Sequence, residues 1–216
     1  MPPRPAIDPP DLPRQLTPAT IRGGALRDED AYQEVLLANG NVNDQTAHNV
    51  SFRQVQFKRF ELRGTRLPSL HLADARFERC DLSGAIWEKA YLRRIEVIDC
   101  RLTGWQALDA RIYDLLLKEC TGQYVSFASG IFKGARFERC VLRDASFLDA
   151  DLTGAVFLDC DLTNVDMEGA KLIGADLRGS TITGMRIGLR EIQGVVVDLT
   201  QAARLLQGLG ARVVLD

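Results

Sequence analysis

The chain has 216 residues, 27 basic against 29 acidic side chains and 46% apolar residues, which is the composition of a folded globular chain and not of a disordered one. Its longest apolar runs, such as Leu115 to Leu117 and Val195 to Val197, are too short for a membrane span. Met1 to Pro10 has neither the apolar stretch nor the cleavage site of a signal peptide, so a cytoplasmic protein without a membrane partner is expected, and a net charge of −2 gives no reason to expect direct DNA binding.

Met1 to Pro18 carries seven of the eight prolines. An extended, partly disordered arm is expected there, within an N-terminal segment of residues 1–29. Beyond it a five-residue period sets in. Every residue numbered 5n+2 from Phe52 to Val197 is apolar except Gly122, twenty-nine of thirty positions, a run with a chance probability on the order of one in 10⁸. Two residues before each of these positions the chain favours Ala, Cys, Val, Gly, Ser or Thr, and two residues after it Gly, Asp or Asn. Two inward residues at 5n and 5n+2 are strand-like, but the alternation resets at every fifth residue, so the chain must turn a corner in each unit. Glycines such as Gly64, Gly84 and Gly104 suit that corner because they accept positive φ.

A longer period gives the number of corners per coil. Cys80, Cys100, Cys120, Cys140 and Cys160 are 20 residues apart, and Ala75–Cys80 recurs as Ala135–Cys140. Four units then make a square coil, and residues 20 apart stack at the strand spacing of about 4.8 Å. The frame extends back through Tyr32, Leu37, Val42 and Ala47, although Asp30 and Gln45 are poor inward residues. Residues 30–49 read as a degenerate first coil, the alternative being a helix from Asp28 to Ala38. Residues 50–198 form the regular repeat. In 199–216, Leu199, Ala202, Ala203, Leu205, Leu206 and Leu209 with Gly208 and Gly210 predict a short amphipathic helix that caps the last coil with its Ala202, Leu205 and Leu206 side, and Arg212 to Asp216 a short strand.

Units such as Ala150–Gly154 and Ala175–Gly179 resemble the A(D/N)LxG pattern of pentapeptide repeat proteins. That resemblance covers about 150 residues and implies an all-β, right-handed quadrilateral parallel β-helix of about eight coils. It implies no activity, because the repeat residues encode a scaffold. Some members of the family dimerise tail to tail. Qnr-type members protect DNA gyrase from quinolones and have been read as mimics of duplex DNA, so gyrase is the alternative partner. A duplex spanning eight coils would present about 22 phosphates, whereas the most acidic face here has three basic and five acidic residues.

The sequence offers no catalytic constellation, and no cofactor is expected. The two histidines, His48 and His71, lie off the cysteine column, and five thiols among aliphatic neighbours read as small hydrophobes, not as metal ligands or a redox site. Trp105 occupies a small-residue position while Ala107 stands at the centre of the same unit, an exchange of size. Gly122 at a centre and Tyr124 at its corner predict a local bulge or side loop between Leu115 and Val125.

The leading expectation is a non-enzymatic scaffold or interaction module. Its most basic face, with seven basic and four acidic residues, places Tyr91, Arg93, Arg111, Tyr113, Ile131 and Lys133 on adjacent outward positions, suited to a partner protein and also to an acidic or nucleic-acid partner. On the most acidic face Leu108, Ala128 and Leu148 form an apolar column. Leu209, Val213 and Leu215 are the candidate contacts of a homodimer.

Overall fold

The structure, a computed structural model, describes residues 6–214. Its strands are β1 (Thr17–Ala19), β2 (Ala31–Gln33), β3 (Val35–Ala38), β4 (Ser51–Lys58), β5 (His71–Glu78), β6 (Tyr91–Ile98), β7 (Arg111–Lys118), β8 (Ile131–Glu138) and β9 (Val156–Leu158), and the single α-helix among the described residues is α1 (Leu199–Gly208). Every strand pair is parallel. From β2 onward each residue pairs with the one 20 positions later, as Phe57 with Phe77 and Val97 with Leu117. The chain is a parallel β-solenoid with about 20 residues per turn.

The corner comes from one backbone conformation repeated without a break. From Glu29 to Gly184 every residue at 5n+4 has a φ between 48° and 83°, twenty-three of them non-glycine, including Arg59, Lys89 and Tyr124. Glycine is thus one solution to the corner and not its requirement. A left-handed conformation costs a side-chain-bearing residue about 1–2 kcal/mol, which the ladder offsets, since the corner amide donates to the next coil: Arg59 N–H to the Glu78 carbonyl, Lys89 N–H to that of Leu108. Lys89 is exposed. After the entropy of an added glycine is subtracted, Lys89→Gly should stabilise the fold by about 0.5–1 kcal/mol, read as a rise in the urea midpoint. Aspartates at the second position of the unit assist the turn, Asp151 and Asp161 accepting the N–H groups of Thr153 and Thr163.

The 5n and 5n+2 side chains fill one continuous interior. Phe57 stacks on Phe77 and Phe137 on Phe157 with ring centroids 4.4 Å apart, the separation that coil stacking imposes. All five cysteines are buried and free. Each thiol donates to a backbone carbonyl of its own coil, as Cys120 does to Lys118, and Ser180 does comparable work next in the column by donating to Phe157. Neighbouring thiols, and then burial, push the Cys100 and Cys160 thiols well above their ordinary pKa.

Three expectations need correction. No bulge occurs between Leu115 and Val125: β7 is regular, and Gly122 and Tyr124 donate to Val141 and Arg143 in the normal ladder. Gly122 needs no loop because its space is taken, a Cβ there lying 2.6 Å from the Val125 Cγ2 and 3.0 Å from the Leu102 Cβ. No strand forms over 211–214, which lie beyond α1 in irregular conformation, and the last two residues of the expected strand lie outside the described residues. Finally, α1 buries Gln201 and Leu205, whereas Leu206 is 49% exposed. The helix is held by an Asp198–Gln201 capping box, and the Gln201 side-chain amide donates to the Leu177 and Ser180 carbonyls.

Solenoid pairing starts before residue 30. β2 and β3 occupy two faces of a coil, and β1 pairs with β3. Residues 20–28 cover the open end, with Ile21 and Leu26 buried. This explains the two polar inward residues: Gln45 accepts from Leu26 N–H and donates to the Gly24 carbonyl, and Asp30 accepts from Arg27 N–H and the Tyr32 hydroxyl.

Candidate interaction surfaces

Strand register assembles the basic face. Tyr91, Arg111 and Ile131 stand in one column and Arg93, Tyr113 and Lys133 in the next, on successive coils of β6, β7 and β8. Arg93, Arg111, Ile131 and Lys133 are exposed, while both tyrosines are half-buried. The tyrosine rings pack diagonally, with centroids 5.5 Å apart. His71, one coil before Tyr91, extends this row at 6.1 Å. Sequence reading left His71 out, although the 20-residue spacing places it in the same column. Lys133 is tied by a 3.3 Å ion pair to Asp151, while the charge of Arg93 acts on Asp74 without a direct ion pair. Both strand edges are paired through the face, which leaves side chains alone to meet a partner.

The apolar column is smaller than its residue types suggest. Leu148 is 38% exposed, while Leu108 and Ala128 are half-buried at the turns. The C-terminal end is richer in open apolar surface. Leu199 is 84%, Val214 67% and Leu206 49% exposed, and Met185, Ile187, Ile192, Val195 and Val197 of the last coil are only partly covered. Leu209 and Val213 are half-buried, and Leu215 lies outside the described residues. Among the described residues no three His, Cys, Asp or Glu side chains are grouped to hold a metal ion, and no helix is long and apolar enough to cross a membrane.

The proline arm is an unexpected part of the surface. It lies lengthwise over the corner between the two strand-forming faces. Asp8 N–H donates to the Asp114 carboxylate at 3.3 Å and Asp11 N–H to that of Asp74 at 2.8 Å, while the Gln54 amide donates to the Asp11 carbonyl at 3.0 Å. Asp74 is 4% exposed and accepts two 2.6 Å bonds from Arg94.

Comparison with known proteins matches residues 70–147 to a model of the pentapeptide repeat region and residues 48–84 and 145–184 to a model of pentapeptide repeats in eight copies. No curated protein matches significantly. Similar solved structures include HetL, a pentapeptide repeat protein involved in heterocyst differentiation regulation from the cyanobacterium Nostoc sp. strain PCC 7120, at 19% identity over 78% of this chain and 87% of that one, TM-score 0.43. They also include QnrB1, a plasmid-mediated fluoroquinolone resistance protein, at 18% identity over 85% of this chain and 100% of that one, TM-score 0.33. A third is Rfr23 from the cyanobacterium Cyanothece 51142, at 14% identity over 82% and 92%, TM-score 0.23. With its unbroken five-residue frame, its 20-residue parallel register and these family matches, the chain belongs to the pentapeptide repeat family.

Proposed function

We propose that the chain is a non-enzymatic interaction module that binds a protein partner on the face carrying Tyr91, Arg93, Arg111 and Tyr113. The observation that carries this reading is the paired ladder of tyrosine and arginine in strand register, because these residue types supply large, well-ordered contact area and forked hydrogen bonding to an acidic surface. Lys133 and Ile131 border it on β8. The apolar turn column of Leu108, Ala128 and Leu148 is the lesser candidate. The test compares proteins retained from lysate by wild type and by Arg93→Glu/Arg111→Glu: the variant should lose the specific partners, and an unchanged set would remove this face from consideration. DNA gyrase supercoiling should be neither inhibited by the protein nor rescued from a fluoroquinolone, and inhibition at micromolar concentration would favour gyrase as the partner.

The exposed apolar end supports a second element of this reading, a homodimer through the C-terminal segment. Leu199, Leu206 and Val214 are the residues a two-fold contact would cover, with Leu209 and Val213 beside them. Sedimentation equilibrium at tens of micromolar should give twice the 24.0 kDa of the chain. Leu199→Asp/Leu206→Asp should return it to monomer with an unchanged β-rich circular dichroism spectrum, and a wild-type mass of one chain would exclude the dimer.

A further inference from the structure

The arm's fit to the corner has a metric basis. Ile7, Pro10 and Pro13 are half-buried at intervals of three, joined by Leu12, while Asp8, Pro9 and Asp11 are exposed. A period of three is that of a polyproline II helix, whose three residues advance about 9.3 Å. Two coils advance about 9.6 Å. The two donating amides, Asp8 and Asp11, are three residues apart, and their acceptors, Asp114 and Asp74, are two coils apart. Prolines 9 and 10, which have no N–H, fall between the donors at the level of Arg94, where no acceptor is needed. Gly134 completes the track: a Cβ there would come within 3.4 Å of the Ile7 side chain.

From this match we infer that the corner running over Gln54, Asp74, Asp114 and Gly134 is a binding site for polyproline II peptides, filled in this chain by its own arm and open to a proline-rich segment of a partner protein that displaces it. Recognition rests on backbone N–H groups at every third residue and on half-buried prolines, so it reads conformation and proline spacing more than side-chain identity. The arm is held between Asp8 and Asp11 by two donated and one accepted hydrogen bond, a small set that a longer ligand can outmatch. An arm from a second copy gains nothing comparable, since it must vacate an equivalent corner of its own.

The test uses the full chain and a fluorescent peptide of residues 6–16. Asp8→Pro/Asp11→Pro removes both donors while leaving the solenoid untouched. The variant should be cleaved faster by trypsin after Arg14 and should bind the peptide at least tenfold more tightly than wild type, whose tethered arm competes at an effective concentration in the millimolar range. A peptide carrying the same two prolines should not bind the variant. The inference is overturned if the variant's arm is released yet the peptide does not bind, if wild type and variant bind it equally, or if trypsin cleavage is unchanged. Loss of a wild-type dimer in the Asp8→Pro/Asp11→Pro chain would point instead to exchange of arms between copies and would equally overturn it.

Discussion

Trp105→Ala should lower the unfolding free energy by about 3–5 kcal/mol, the usual range for a large buried aromatic. The indole is 1% exposed and stands edge-on between Trp87 and Phe127, with centroids 5.1 Å and 5.2 Å away. It occupies the level at which the central residue is only Ala107. Its Nε1 has no hydrogen-bond partner among the described residues, so truncation also removes a desolvated donor and places the loss toward the lower end of the range. Ala107→Phe alone overfills the same level and should cost about 1–3 kcal/mol. Together the two changes restore the ordinary pattern of small 5n and large 5n+2 residues, and the double variant should return to within about 1.5 kcal/mol of wild type. Urea melts of the four chains decide this. If the losses of the single variants simply add, Trp105 and Ala107 do not share one interior volume.

What the sequence discloses follows from which physical demands repeat. The interior does, because each fifth residue must be apolar to reach the axis, and the cysteine spacing then gives the coil length and the parallel register. The same spacing puts Tyr91, Arg93, Arg111 and Tyr113 on one face. Glycine, aspartate and asparagine at 5n+4 announce a corner in each unit, but its uniform left-handed backbone was not legible, because left-handed arginine, glutamate and tyrosine are unfavourable locally and are imposed by ladder bonds to residues 19 positions away. Gly122 suggested a missing side chain, yet the void is closed by Val125 and by leucines one coil below and above. The arm's docking was not legible either. Its prolines announce an extended segment, but its partners lie 43 to 106 residues away and its period of three belongs to a different helix from the five-residue frame. Partner identity has no counterpart in the repeat at all, since the repeat specifies inward residues and corners while the outward positions are free to vary.

Arg94→Met is expected to cost about 3 kcal/mol at neutral pH, because it leaves a buried carboxylate without its cation. Burial by itself raises the pKa of Asp74, but the Arg94 fork, with the Asp11 N–H, outweighs it and holds the carboxyl below the ordinary carboxylate value. The wild-type pair therefore contributes stability that is fully present above the unfolded value of about 3.9. That contribution is lost as pH falls through the lower folded value. In Arg94→Met only the Asp11 N–H and the charge of Arg93 are left to oppose burial, so the folded pKa rises and the penalty of a charged Asp74 is greatest at neutral pH and relieved on acidification. The gap between the two chains should consequently narrow as pH is lowered toward 4 and continue to close below it. Asp74→Asn/Arg94→Met, neutral at both positions and still able to accept from Asp11, should recover most of the loss and show no such narrowing relative to its own value at pH 7. Denaturant melts at pH 7 and pH 3.5 distinguish the cases, and an Arg94→Met deficit that is the same at both would mean that Arg94 contributes through packing of its side chain and not through the charge it supplies to Asp74.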